Sequence, residues 1–454
     1  MTVEGLTINS LKKKDLLTLG FMMFSIYFGA GNLIFPPALG QAAGDHTLHA
    51  MLGFMTTGIG LPLLGITAIA LAGGEYVPLL HAKTWPRFAT VLLVILYLII
   101  GPLFAMPRTG AVSFEIGIRP FLSADNLALG QIIYTAIFFA SSYYLALNPN
   151  KIIDRVGRML TPALLIVLLI LFVQAFHAPL GAILPATGAY IDAPFAQGFQ
   201  DGYQTMDLLA SIAIGALVAN AVRMRGITDS RAVGAACLVS GLITVMLMAA
   251  VYGSLAYIGA TSTSILGQAE NGGQILSAAV GIFFGSAGNL LLAVIIGLAC
   301  LTTCCGITSS AAMFFNKLLK GRISYERLLL FSILFSFAAS NVGLTQIIAL
   351  AIPFLVTIYP LIIVFVILSL FDRFIGWRKS IYQGAMALTL VFSLIDGLHA
   401  AGLSSEPVHA LLVAYIPFYN ITMGWVCPAV TGALVGLAVS FFQTAPAAAK
   451  ESQV

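Results

Sequence analysis

Apolar residues run along this chain in stretches of about 20, the helix length that crosses a bilayer's hydrocarbon core. With glycine, proline and charge as punctuation, the pattern predicts about twelve spans. They begin near Leu16, Leu48, Phe88, Leu129, Leu160, Phe195, Ala232, Asn289, Leu328, Ile347, Ile381 and Gly424. The third and eighth read long, and residues 276–284 and 408–415 read as short helices lying at the membrane surface. Two spans are interrupted: span 1 by "FGAGNLIFPP" (28–37) and span 6 by "GFQDGYQTMD" (198–207). In a helix interior Gly costs about 1 kcal/mol and Pro about 3 kcal/mol relative to Ala. Lipid, moreover, offers no water to the backbone groups that a break sets free.

Spans 1 and 6 start on opposite sides of the membrane, so spans 1–5 and 6–10 read as repeats of inverted topology, each opening with a discontinuous helix. Paired interruptions at corresponding positions of two halves point to a transporter's midplane site. The chain then reads as a single membrane transport domain, with repeat one at about 16–176, repeat two at about 195–371 and two extra helices at about 380–443.

Composition agrees. Of the 454 residues, 59% are hydrophobic and 8% charged, against about a quarter charged in a soluble domain. The fold class expected is an all-α polytopic membrane protein with no sizeable soluble domain. The net charge of +4 does not imply nucleic acid, because the basic residues sit in small scattered loops. All five cysteines lie in apolar segments and read as small core hydrophobes. The "KKKD" stretch beginning at Lys12 leads into a full-length span without a processing site of the secretory type.

The basic residues also test the topology. Lys12, Lys13, Lys14, Lys83, Arg87, Lys151, Arg155, Arg158, Arg223, Arg225 and Arg231 fall on one side, as do Lys317, Lys320, Arg322, Arg327, Arg373, Arg378, Lys379 and Lys450. The other side holds Arg119, with Arg108 inside span 3. By the positive-inside rule both termini are cytoplasmic.

A broken helix exposes carbonyls at the end of its first half and N–H groups at the start of its second. The carbonyls suit a cation, and the N–H groups with the positive dipole end suit a carboxylate. Pro36 falls in the first turn of the second half, where a missing N–H matters little. In span 8, "GLACLTTCCGITSS" spaces Ala299, Thr302 and Thr303 at i, i+3 and i+4, so two hydroxyls converge beside the Ala299 carbonyl. Hard cations take several oxygen ligands, and the carbonyls of Ser25 and Phe28 complete a five-oxygen cage. Phe28 lies 14 residues from Lys14, and Thr303 lies 14 from Lys317. Both are therefore about 21 Å from the cytoplasmic charge band. Ser309 and Ser310 repeat the spacing only about 10 Å in and are the lesser candidate.

Charges inside the membrane default to functional roles with a named partner. Arg108 and Glu115 are seven apart on one helix face and read as an outer gate, Arg108 pairing with Glu115 or Asp201. Asp207 reads as a cap for the second half of span 6. Asp201 is the candidate for a substrate amine or a proton. Asp396 and His399, at i and i+3 in span 11, read as a structural pair. No G-x-x-x-x-G-K-[ST] loop exists, so ATP does not drive the protein. The six histidines are dispersed rather than convergent, which argues against an enzyme. A channel would carry repeated pore loops or rings of like residues.

The stretches "GFMMFSIYFGAGNLIFPPALGQAAG" (20–44) and "GFQDGYQTMDLLASIAIGALVANAV" (198–222) resemble the bacterial branched-chain amino acid:cation symporters, also called branched-chain amino acid transport system II carriers. The resemblance covers essentially the whole chain. It implies a LeuT-type fold of five plus five inverted spans and two more, in the bacterial inner membrane. It also implies sodium-coupled uptake of leucine, isoleucine and valine. On this likeness one Na⁺ is held by Ser25, Phe28, Ala299, Thr302 and Thr303. The substrate carboxylate meets the first break, Gly29, Ala30, Gly31 and Asn32, and the amine meets carbonyls around Gln200, Asp201, Gly202 and Tyr203. LeuT-type proteins often carry an arginine gate just after the first break; here that place is apolar, Leu33, Ile34 and Phe35, and Arg108 is the replacement. The implied partners are the amino acid, Na⁺ as coupling ion and the bilayer, with no other cofactor, nucleic acid or obligate protein partner. Proton coupling, or another small amino acid or apolar zwitterion as cargo, stays open: the neutral two-threonine cage favours a metal ion, whereas Asp201 leaves room for a proton.

Overall fold

In the computed structural model, which describes residues 13–72, 76–147, 149–227, 229–376, 378–403 and 406–442, span 1 is two helices. Lys12 and Lys450 of the charge argument lie outside the described residues, as do the side chains of Lys151, Arg155, Arg158 and Arg373. Helix α1 (Lys13–Tyr27) and α2 (Ala30–Ala43) are parted by an extended Gly29, φ −121° and ψ −169°. Both prolines of the motif fall inside α2, which begins at Ala30, so Pro36 lies in its second turn rather than in the first turn as expected. Span 2 is α3 (Thr47–Met55) and α4 (Leu61–Leu71), joined by a π-helical turn at Thr56–Gly60, and α5 (Tyr76–Lys83) follows.

Span 3 holds an interruption that the sequence reading did not single out. Helices α6 (Pro86–Leu98) and α7 (Ala105–Gly117) are separated by a π turn in which Gly101 leaves helical geometry, φ −98° and ψ −126°. Next come α8 (Leu127–Ala146) and α9 (Pro149–His177). Span 6 is α10 (Pro194–Asp201), a 3-10 turn at Gly202–Thr205, a left-handed Met206 and α11 (Asp207–Arg223).

Two long helices follow, α12 (Ser230–Leu266) and α13 (Gly272–Leu318). Helix α13 bends at Gly285 (φ 63°), so the short helix expected at 276–284 is its first segment. The chain closes with α14 (Tyr325–Ser340), α15 (Leu344–Leu370), α16 (Asp372–Ile375), α17 (Lys379–Ala400), α18 (Glu406–Tyr415) and α19 (Val426–Phe442). There is no strand among the described residues.

Length and apolarity alone single out seven membrane-crossing helices, with Pro162–His177 and Val426–Phe442 as shorter apolar ones. That measure does not recover the expected twelve. The stretch Ala30–Leu71 runs helically through its turns as one piece, and the halves of span 6 are each too short to cross about 30 Å alone.

Packing concentrates on glycine crossings. A Cβ on Gly40 of α2 would fall 1.9 Å from the Ala256 carbonyl oxygen of α12, and one on Gly259 of α12 would fall 2.0 Å from that of Pro37. A matched pair joins α3 and α10: Gly198 against the Ala50 carbonyl at 1.9 Å and Gly53 against the Phe195 carbonyl at 2.0 Å. Small residues let backbones touch, which drives association where lipid removes the hydrophobic incentive. Helix α12 also backs α1, with the Thr244 hydroxyl donating to the Gly20 carbonyl at 2.9 Å. One half of each broken span, α2 and α10, is therefore clamped backbone to backbone against a neighbouring helix.

A buried ion pair ties α5 to α16, Lys83 Nζ to Asp372 Oδ1 at 2.8 Å, with the ammonium 5.1 Å from the Tyr382 ring centre. Breaking a buried pair from one side strands the other charge. Lys83→Ala is expected to lower stability by about 3–5 kcal/mol, read as the thermal unfolding midpoint in detergent. The double change Lys83→Met with Asp372→Leu should recover most of that loss.

Candidate substrate and cation site

The two breaks meet. Helix α1 closes with the Phe28 N–H on the Phe24 carbonyl at 2.8 Å, and after extended Gly29 the Asn32 N–H reaches the Gly29 carbonyl at 3.2 Å. From α2 the Asn32 side chain turns back: Nδ2 donates to the Tyr27 carbonyl at 2.9 Å and to Asp207 Oδ2 at 3.1 Å. The Tyr252 hydroxyl of α12 donates to the same carboxylate oxygen at 3.4 Å. Asn32 is 1% exposed and Asp207 4%. One amide thus satisfies a carbonyl left over by α1 and fastens span 1 to the first residue of α11.

Asp207 stands in the first turn of α11, after left-handed Met206 (φ 62°), where a carboxylate suits the helix N-terminus as expected. Its hydrogen bonds, however, run to Asn32 and Tyr252 rather than to α11 N–H groups, so it also serves the junction. The second break lies within the expected stretch 198–207, towards its end. Residues 202–205 continue as a 3-10 turn, so the chain leaves helical geometry at Met206, beyond Gln200, Asp201, Gly202 and Tyr203. Gly202 is a packing residue against span 2, where its Cβ would lie 1.9 Å from Thr57 Oγ1. Asp201 is bound by the Tyr190 hydroxyl and by Gln197 Nε2 at 3.0 Å, so it belongs to α10 rather than to the break. Tyr203 stacks on Tyr359 of α15 with ring centres 4.3 Å apart. The break carbonyl that is put to use is that of Gln204.

Its partner is Arg108. The span 3 interruption puts this residue in the first turn of α7, where Nη1 donates to the Gln204 carbonyl at 2.6 Å. The guanidinium lies over Gly31, whose missing Cβ would sit 2.9 Å from Nη2, and its carbon is 5.1 Å from the Phe35 ring centre. Arg108 is 4% exposed and its Nε makes no hydrogen bond. The pairing expected with Glu115 or Asp201 is therefore not formed. Seven residues along a helix is a rise of about 10 Å, out of reach for a guanidinium held on the Gln204 carbonyl. Glu115 instead accepts from Arg119 Nη1 at 2.8 Å, Asn271 Nδ2 at 3.2 Å and Gln274 Nε2 at 2.9 Å, and Asn271 also reaches Thr345 Oγ1 at 3.4 Å. This carboxylate ties α7 to the start of α13 and, through Asn271, to α15.

The cation candidates of span 8 face the first break. Thr302 and Thr303 hydroxyls both donate to the Ala299 carbonyl, at 2.9 and 3.0 Å, so three oxygens converge as the spacing implied. A Cβ on Gly29 would lie 3.4 Å from Thr303 Cγ2 and 3.8 Å from its Oγ1, which sets the group one residue from the Phe28 carbonyl. Each hydroxyl spends its proton on Ala299 and keeps lone pairs for an ion. A neutral all-oxygen donor set beside helix-end carbonyls fits a hard monovalent cation. Among the described residues no group of three His, Cys, Asp or Glu offers an alternative metal site.

Sequence reasoning missed Gln204, Tyr252, Asn271 and Gln274. The "GP" at Gly101 and Pro102 was an available signal for the break that aims Arg108.

A family model described as branched-chain amino acid transport protein matches residues 12–443. The branched-chain amino acid permease BraB of Bacillus subtilis is 46% identical over 434 residues, covering 96% of this chain and 97% of the permease. The branched-chain amino acid transport system 2 carrier protein of Pseudomonas aeruginosa is 45% identical, covering 92% and 94% respectively. Among solved structures, Mhp1, a nucleobase-cation-symport-1 family transporter with bromovinylhydantoin bound, superimposes with TM-score 0.58 at 14% identity, over 94% of this chain and 92% of that one. MhsT in complex with L-phenylalanine gives 0.57 at 15%, over 95% and 98%. At such identities the likeness is one of fold.

Removing the Asn32 amide strands the Tyr27 carbonyl and half of the Asp207 contacts, at about 1–3 kcal/mol for each buried group left unpaired. Asn32→Ala is expected to unfold several degrees below the parent in detergent. Asn32→Gln, one methylene longer, should not restore the midpoint.

Proposed function

The chain belongs to the branched-chain amino acid transport protein family, whose members are transporters and not enzymes, and from that premise we propose that it carries leucine, isoleucine and valine across the bacterial membrane by alternating access coupled to Na⁺. The observation that carries this reading is the meeting of the two broken helices at Asn32 and Asp207, with Thr303 against Gly29. Break carbonyls, break amides and three converging oxygens lie within one junction, which suits an amino acid beside its coupling ion. Ala299, Thr302 and Thr303, with the Ser25 and Phe28 carbonyls, hold the cation. Gly29, Ala30, Gly31 and Asn32 meet the carboxylate, while the amine side moves from residues 200–203 towards the Gln204 end of the 3-10 turn.

The repeat reading, about 16–176 and about 195–371, is supported by the matched glycine crossings, a span 1 half on α12 and a span 6 half on α3. With both termini cytoplasmic, Glu115 sits on the outer side. Its bonds to Asn271 and Gln274 make it the outer latch, a role that no longer includes Arg108. A second reading, proton coupling, draws on Asp207, the buried carboxylate at the junction; Asp201, occupied by Tyr190 and Gln197, is the poorer proton carrier.

Purified protein in proteoliposomes, given radiolabelled leucine, isoleucine or valine under imposed Na⁺ or H⁺ gradients, tests the assignment. Uptake should follow the Na⁺ gradient, and Thr302→Ala should raise the Na⁺ concentration for half-maximal uptake about tenfold, a loss of about 1.4 kcal/mol. Uptake driven by pH alone and indifferent to Thr302 would favour the proton reading. For the latch, Glu115→Ala is expected to increase labelling of a cysteine introduced at Leu33 by a membrane-impermeant thiol reagent added outside, whereas Glu115→Gln, which can still accept from Gln274, should change it little.

A further inference from the structure

Arg108 and Asp207 carry opposite charges, both are buried, and both border the same junction, yet they do not form an ion pair. The ion pairs within 4 Å among the described residues are Lys83–Asp372 and Arg119–Glu115. Arg108 is held by a neutral carbonyl and an aromatic face. Asp207 is held by a neutral amide and a phenol. Arg108 and Asp207 feel one another's charge without direct contact, and buried charges held apart are costly, so their separation calls for an explanation.

Their arrangement supplies one. Gly31, which lies under the guanidinium, and Asn32, which holds the carboxylate, are consecutive residues of the first break. Gln204, which holds Arg108, stands three residues before Asp207 in the second. The Gln204 carbonyl takes Nη1, so the edge formed by Nε and Nη2 is left over. Nε has no partner, and Nη2 lies against the one residue without a side chain. That edge matches the two oxygens of a carboxylate in bidentate geometry. On Asp207 the bonds from Asn32 and Tyr252 both fall on Oδ2, and with the Thr205 hydroxyl also beside the carboxylate, acceptor capacity remains for a cation.

We propose that Arg108 binds the α-carboxylate of the transported amino acid and Asp207 its α-ammonium, so that the zwitterion completes a charge arrangement left open in its absence. The inference rests on the amino-acid reading above and adds to it two charged side chains, one from α7 and one from α11, where that reading relied on backbone groups. Each end of the cargo would then engage a different interrupted span. A molecule with only one of the two charges would leave the other buried charge unmatched, and would be rejected on electrostatic grounds whatever its side chain.

Binding of radiolabelled leucine to the purified full chain at saturating Na⁺, with competition by 4-methylpentanoate, which lacks the ammonium, and by leucinamide, which lacks the carboxylate, tests this. In the parent each analogue should bind at least about tenfold more weakly than leucine. Arg108→Gln should weaken leucine at least about tenfold while leaving leucinamide within about threefold; Asp207→Asn should weaken leucine similarly while sparing 4-methylpentanoate. Equal losses for leucine and both analogues, or no loss of leucine in either variant, would overturn the assignment. Should the variants fail to fold, the parent still decides: analogues that compete as well as leucine exclude charge matching at both ends, and weak ones support it. A parent that binds no branched-chain amino acid would instead sink the transport reading itself, an outcome distinct from leucine binding that ignores Arg108 and Asp207.

Discussion

A helix interrupted within a membrane must find partners inside the protein for the backbone groups it releases, since lipid supplies none. Here the side chain of Asn32 answers for both broken spans at once. It returns to the Tyr27 carbonyl at the end of α1 and reaches across to Asp207 at the start of α11. Without it the two breaks would be separate defects; with it they form one polar junction in an apolar interior. The third interruption, at Gly101, serves the same place from another side by delivering Arg108 to the Gln204 carbonyl.

Such a centre holds its shape only if its surroundings are stiff. The glycine crossings provide that stiffness, because contacts between backbone atoms cannot relax by changing a rotamer. Gly40 with Gly259 and Gly53 with Gly198 fix one half of each broken span on a neighbouring helix, leaving Phe28, Gly29 and the 202–206 turn as the irregular parts. A transporter needs both properties, a rigid frame and a few residues whose backbone groups stay available to cargo. Elsewhere α7 is tied to the start of α13 by hydrogen bonds radiating from Glu115, which can exchange with water more easily than backbone contacts can relax.

Much of this was legible without coordinates. The apolar runs, the low charge and the paired Gly/Pro interruptions give the all-helical membrane class and the location of span 1's break to within a residue, because Gly29 is where the chain leaves the helix. The i, i+3, i+4 spacing of Ala299, Thr302 and Thr303 did bring three oxygens together, since helical geometry is local. The second break falls inside the expected stretch 198–207, but within it a 3-10 turn carries "GYQT" onward and only the left-handed Met206 ends it, past the carbonyls at 200–203 expected to meet the amine. The helix count read by length differs for a related reason: turns that remain helical merge neighbouring spans, and breaks divide others.

The partners of the charged residues were not legible at all. Helix-face logic paired Arg108 with Glu115, seven residues on, whereas its actual contacts, Gly31 and Gln204, lie far away along the chain. By itself the sequence determined the all-helical membrane class, where the first span must break and which oxygens share a helix face, all consequences of spacing along one chain. Which breaks meet, which carboxylate faces which arginine and which side chain holds them apart were decided by tertiary structure. Those contacts join segments up to 175 residues apart, and no local periodicity encodes a distance of that kind.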